Sequence, residues 1–481
     1  MRVIALAIGV LVVGCTHYDG FHCTDSVQCV HDGVAGVCQS IGFCSFPDTS
    51  CASGQKFEQG VGDGLGGACV PKCGGAGEPC CDVGDACVSN AFCQAGTCAT
   101  CVTHVALGRR FICSVKYDGT VWCSGANDQG QLGIGASSAS LTDHPVQVRD
   151  MNGATLTDIV DVGAGYDFAC AVKMDGTVWC WGDDTSGQLG SGVTFPMPPA
   201  MAPPIPWAVQ VTTTSAGPLT GAAGVVAGDD SACALLHTGG VACWGADNHG
   251  QLGDNTIVTR SKAAPIGGLA GVAELAIGEE VACARTTTNN IYCWGNQKHG
   301  ALFDGSTTDH LQPVMIANAA SFATGKKYTC IVDPDSTITC AGWGSHGRLG
   351  IGIGESYSDG DHYTPVLVLS EYGGPPFTGV AQVAAGGVTC ALMTDSSVYC
   401  WGDDSYGATG TGTGSTVPIQ VTFDDGKPLT GVARLLVHYQ HVCAITKAGE
   451  LLCWGRNLQG ELANGSYLNQ GFPAPYTIGC P

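Results

Sequence analysis

Cysteine spacing constrains this chain more than any other feature. Pairs of cysteines ten positions apart occur seven times: Cys113 and Cys123, Cys170 and Cys180, Cys233 and Cys243, Cys283 and Cys293, Cys330 and Cys340, Cys390 and Cys400, Cys443 and Cys453. Glycine stands two and seven residues after each second cysteine, from Gly125 and Gly130 in the first unit to Gly455 and Gly460 in the last. Trp181, Trp244, Trp294, Trp401 and Trp454 lie between the cysteine and the first of those glycines. Successive units start 47 to 63 residues apart, about the length of one four-stranded propeller blade. The fold class implied is all-β: a seven-bladed β-propeller preceded by a small disulfide-rich module.

The interior of each unit agrees. Ala171 to Trp179 reads as two alternating strands around an Asp-Gly turn. A three-residue hairpin loop favours a left-handed third residue, and that position holds Gly119, Gly176, Gly239, Asn289 and Gly449, with Ser336 and Ser396 as departures. The same loop sets Cys170 directly opposite Cys180 in a non-hydrogen-bonded pair, the type with the closest Cα atoms. Seven blade disulfides are therefore expected.

The run Trp244-Gly245-Ala246-Asp247-Asn248-His249-Gly250-Gln251-Leu252-Gly253, with Trp181 to Gly190 beside it, resembles the repeat of the regulator of chromosome condensation family. The resemblance covers about residues 102 to 481 and implies a seven-bladed propeller. Three departures stand out: Ala341 replaces Trp, Phe303 replaces a Gly, and the usual His two before the first cysteine survives as His441. The family's chromatin and nucleotide-exchange roles are not expected here, because the chain reads as exported and acidic.

Export follows from the N-terminus. Arg2 precedes an apolar run, Val3 to Val13, too short to span a bilayer. Val12-Val13-Gly14-Cys15 resembles the lipobox of bacterial lipoproteins, which implies cleavage before Cys15 and lipid on it. An ordinary signal peptide that leaves Cys15 free is the alternative. Either route leads to an oxidising compartment, where cysteines so numerous are expected to pair as disulfides. The expected organisation is a signal peptide over 1–14, a lipidated tether over 15–22, a cysteine-rich module over 23–101 and the propeller over 102–481. The expected location is the outer membrane or the cell surface. Thirteen cysteines in the module leave one over, and apart from Cys15 the one cysteine outside module and blades is Cys480. A bond between Cys101 and Cys480 is expected, with the C-terminal strand near Pro473 to Ile478 joining the first blade. Pairing within 23–98 stays open.

Composition narrows the chemistry. The net charge is −22 and no Lys/Arg cluster is visible along the chain, so nucleic acid is not an expected partner. Polar turns such as Asp183-Asp184-Thr185-Ser186 read as turn formers rather than calcium ligands. The 13 histidines show no metalloprotease spacing, Gly-x-Ser-x-Gly is absent, and no cofactor or metal is expected. Two insertions interrupt the repeat: residues 191–218, with Phe195, Met197, Met201 and Trp207, and residues 351–379, with Tyr357, Tyr363 and Phe377. Long loops on a rigid scaffold are natural binding elements. The expected function is a surface-anchored scaffold that binds a protein or glycan and catalyses nothing. A secreted inhibitor that plugs an enzyme with one propeller face is an alternative, as is an enzyme with its pocket in the central channel.

Overall fold

The computed structural model describes residues 102–137, 141–193, 203–352, 360–476 and 478, with seven short strands between Val30 and Thr100. The chain divides into two compact units. The first is Met1–Cys101 with the short pieces Lys447–Glu450 and Gly479–Pro481; the second holds the rest of the chain up to Ile478. In the first unit, Val37–Cys38 pairs with Cys44–Pro47, which pairs with Gln55–Phe57, and Ala91–Gln94 pairs with Thr97–Thr100. Cys15, Phe195, Met197, Met201, Tyr357, Cys101 and Cys480 lie outside the described residues.

The second unit is a propeller of seven four-stranded antiparallel sheets, each built from four consecutive strands. The second blade is typical: Ile159–Ala164, Phe168–Lys173, Val178–Gly182 and Ile205–Gln210, in that order across the sheet. The first strands of all seven blades line the central channel.

In every blade the two cysteines face each other in the register of the second and third strands. Cys113 is bonded to Cys123 in the first blade, Cys170 to Cys180 in the second and Cys233 to Cys243 in the third. Cys283 is bonded to Cys293, Cys330 to Cys340, Cys390 to Cys400 and Cys443 to Cys453 in the remaining four. All seven expected blade disulfides are therefore present, with Cα atoms 4.0 to 4.1 Å apart. The hairpin turn has the expected left-handed third residue, at φ 74° in Gly119 and 62° in Asn289; Ser336 and Ser396 take the same conformation, at 66° and 70°.

Blades are joined by a bond that each tryptophan makes to its predecessor. Trp181, Trp244, Trp294, Trp401 and Trp454 are fully buried. Their indole N–H groups donate to Gln131, Gln188, Gln251, Arg348 and Ala408 carbonyls of the preceding blade, at 2.8 to 3.0 Å. Two residues beyond each of those carbonyls stands Gly133, Gly190, Gly253, Gly350 or Gly410. A Cβ there would come within 2.8 to 2.9 Å of the neighbouring indole. The two blades without Trp at this position have no glycine before them: Phe303 precedes Ala341, and Ala463 precedes Ser124.

The C-terminal strand corrects the expected closure. Gln470–Pro475 pairs with Leu451–Gly455 and completes the seventh blade, not the first. Outer strands such as Thr142–Gln147 finish their own blade, and the residue after them enters the gap to the next. Tyr476 is that residue in the last blade, equivalent to Val148 and Val211: the N–H of each donates to the carbonyl at the start of its own third strand. Its ring is fully buried, and its hydroxyl lies 3.2 Å from Ser124 Oγ of the first blade. Ser124 also donates to the Glu461 carbonyl at 3.0 Å, as a Trp would.

Candidate functional site

Because strands run alternately up and down a blade, one face of the ring collects every turn between first and second strands and every connection between third and fourth. The first-to-second turns place two residues per blade around the channel mouth: Arg109-Arg110, Tyr166-Asp167, Asp229-Asp230, Glu279-Glu280, Lys326-Lys327, Gly386-Gly387 and Tyr439-Gln440. Main-chain bonds tie neighbours together, with Arg109 N donating to Gly165 O at 3.1 Å and Tyr166 N to Asp229 O at 3.1 Å. The second, third and fourth blades thus carry an acidic arc. The first and fifth carry four cations, with the aromatic Tyr439 and Tyr166 flanking the first.

The cationic side forms a cavity of about 320 Å³ lined by Arg109, Lys326, Arg348, Arg456, Trp343 and Tyr439, with His346, Asp403, Tyr406, Gly387 and Gln440 completing it. Aromatic rings hold its cations. The Arg109 guanidinium sits 3.8 Å from the Tyr166 ring centre and 5.1 Å from that of Tyr439. Arg348 lies 4.4 Å from the centre of Trp343, and Lys326 5.7 Å from the same ring. Lys326 also pairs with Glu279 at 3.3 Å, and Arg456 pairs with Glu461.

Carboxylates crowd the opposite side. Burial, reinforced by Glu279, Asp230 and Glu280, pushes Asp229 up to about 8. Burial also raises Asp230 to about 6, and raises Asp167 to about 6 against the pull of Arg110, which bonds it at 2.9 Å. At neutral pH this arc therefore holds some carboxyl groups protonated.

The channel carries a second polar group at its far end, where His104, Asp161, Gln382 and Arg434 meet the lumen. Two of these side chains join blades. Asp161 Oδ2 accepts the Val225 N–H at 2.9 Å, and Gln382 both donates to Leu435 O and accepts from Leu435 N.

Of the binding residues selected from the sequence, Trp207 is the described one, and it falls elsewhere. Trp207 is half-buried on Ile205–Gln210, which is the fourth strand of the second blade rather than loop; the repeat needs those residues to complete its sheet. Phe377 is core, 8 % exposed against Trp401 and Tyr399, while Tyr363 lies on the outer strand Asp361–Leu367 of the fifth blade. The apparent absence of a basic cluster is also corrected: Arg109 and Arg456, 347 positions apart, line one cavity. Alignment on the cysteines holds the signal, since every turn pair stands four and three residues before the first cysteine of its blade.

Residues 102–131, 159–188, 380–408 and 439–461 match the Regulator of chromosome condensation (RCC1) repeat, as do residues 118–172 in a second description of it. The chain carries RCC1 repeats. Over 363 residues this RCC1-repeat chain is 27 % identical to the ultraviolet-B receptor UVR8 of Arabidopsis thaliana, a match covering 73 % of the chain and 64 % of the receptor. The chain thus spans less than two thirds of that relative. Human WBSCR16 superposes with a TM-score of 0.60 at 20 % identity, covering 75 % of this chain and 94 % of that one. Yeast Prp20, solved bound to Kap60, gives 0.59 at 16 % identity over 76 % and 85 %. These two likenesses bear on the RCC1-repeat fold alone.

Proposed function

We propose that the chain is a surface-anchored binding scaffold that holds a protein or glycan on the charged face of its propeller and does no chemistry on it. The ring of turn pairs, divided into a cation-aromatic side and an acidic arc, carries this reading. Such a face gives orientation and partner choice through complementary charge. A protein with the same fold, yeast Prp20, was itself solved bound to Kap60. A central-channel enzyme is less well supported, because Asp161 and Gln382 are spent on main-chain bonds between blades. Lipid on Cys15 would hold the scaffold at the outer membrane or cell surface.

Two experiments test this. Immobilised full-length chain, challenged with envelope extract, should retain a partner that is lost with Arg109→Glu and kept with Met174→Ser, whose side chain is 75 % exposed outside the face. Equal recovery by both variants would remove the face from the reading. For the anchor, Cys15→Ser should move the protein from the membrane fraction to the soluble fraction; an unchanged distribution would refute lipidation.

A further inference from the structure

We infer that the cavity between Arg348, Trp343 and Tyr439 is a subsite for one carboxylate-bearing sugar residue, and that the adjoining groove takes the neutral remainder of an acidic oligosaccharide. The inference rests on the reading of this face as a ligand-binding surface.

Charge supplies the first part. Among the described residues, Arg109 and Arg348 form no ion pair, while Lys326 and Arg456 each have one. Asp403 is the one acid lining the cavity, and its carboxylate is occupied by Ser405 Oγ and by Gln440 Nε2, the latter at 3.3 Å. Arg348 is only 2 % exposed. Its Nε donates to Ser345 O at 2.7 Å, its Nη2 lies 3.4 Å from His346 Nδ1, and its Nη1 is buried without a hydrogen-bond partner. A buried, under-bonded guanidinium is costly, and its planar fork matches a carboxylate better than any neutral acceptor.

Shape supplies the second. A groove of about 850 Å³ shares His346 and Asp403 with the cavity and runs over the fifth and sixth blades. It is lined by Ser405, Thr413, Ser415 and Thr416 with glycine main chain between them, a surface of small donors and acceptors suited to sugar hydroxyls. Tyr372, 77 % exposed, offers an open ring at its edge for a pyranose face. A lone acidic side chain of a peptide would fill the cavity and leave this groove unused. The acidic arc lies on the other blades and repels the carboxylate there, and Asp403 and Asp404 in the groove favour a neutral remainder along it.

A glucuronosyl-xylobiose trisaccharide with one carboxylate and two neutral sugars, its methyl ester, glucuronate and a capped tripeptide with central glutamate serve as probes, titrated into the full chain by calorimetry at low ionic strength. The trisaccharide should bind, with the uncharged ester at least tenfold weaker. Arg109→Gln and Arg348→Lys should each weaken it at least fivefold. Tyr372→Ala should weaken the trisaccharide but leave glucuronate unchanged. If Arg348→Lys fails to fold, Arg109→Gln with an unaltered circular dichroism spectrum carries the test. Equal binding of the ester, tighter binding of the tripeptide, or no binding of any sugar acid would overturn the subsite. A chain that loses its protein partner with Arg109→Glu yet ignores every sugar acid loses this subsite while keeping the scaffold.

Discussion

Phe303 and Ala463 explain why glycine occupies the equivalent place in the other five blades. Both take the left-handed conformation, at φ 68° and 46°, so backbone torsion alone does not demand glycine there. What excludes a side chain at Gly253 is Trp294, and the blades that lack an indole tolerate Phe or Ala. The two oddities seen in the sequence, Phe303 and Ala341, are thus one compensated change. Gly253→Ala should destabilise by about 1–3 kcal/mol and Trp294→Ala by about 3–5 kcal/mol. The double variant should cost clearly less than their sum, because removing the indole opens the space; additive midpoints in urea unfolding would contradict the pairing. His441 stands where other blades have Phe111 and Phe168, fully buried with neither ring nitrogen bonded. Burial holds its pKa well below the usual value. The folded state therefore resists protonation, and stability falls as pH drops below about 6.5, the unfolded value. His441→Phe should raise the melting midpoint more at pH 5 than at pH 7.5.

Within a blade, the hairpin was the most legible element, because cysteine spacing, turn residue and strand alternation converge on one register. Ser336 and Ser396 looked like departures, yet the loop imposes its conformation on them too. The polar turns that follow the third strands are equally structural. Asp184, Asp247 and Asn457 cap the main chain by accepting the N–H of Leu189, Leu252 and Leu462 at 2.9 to 3.0 Å. Insertions were harder to delimit, since the outer strand has no cysteine to mark it, and Ile205–Gln210 therefore read as loop. Each hairpin bridge closes an eleven-residue loop, a constraint of roughly 3 kcal/mol on the unfolded chain. Proteolytic mapping without reduction should return every blade pair, from Cys113 with Cys123 to Cys443 with Cys453, as one linked peptide; free thiols at several of these positions would contradict the bonds.

At the scale of the ring, the candidate site was illegible along the chain because its cations come from three blades. Only the fold converts seven turn pairs into one surface. The acidic arc also sets a pH dependence. With its folded pKa raised to about 8, Asp229 binds its proton more tightly in the native state. Its cost is absent below about pH 4, grows as pH rises and is complete above 8. Asp229→Asn should raise the melting midpoint at pH 8.5 and leave it unchanged at pH 4. Ring closure rests on side chains and a main-chain bond from Gly465 N to Asp143 O at 3.3 Å rather than on a shared strand, and Tyr476→Ala should lower stability by an amount typical of a buried aromatic, about 3–5 kcal/mol.

The fit of glycine to indole holds at five of the seven junctions, which sorts the units into exchangeable and fixed ones. The fourth has to precede the fifth, and the seventh has to meet the first. Duplicating or deleting the second, third or sixth blade would keep a glycine against an indole at the new junction. The same change to the first, fourth, fifth or seventh would bring a side chain against an indole, or leave an empty space beside a small residue. Heredity can therefore copy three of the units far more freely than the other four.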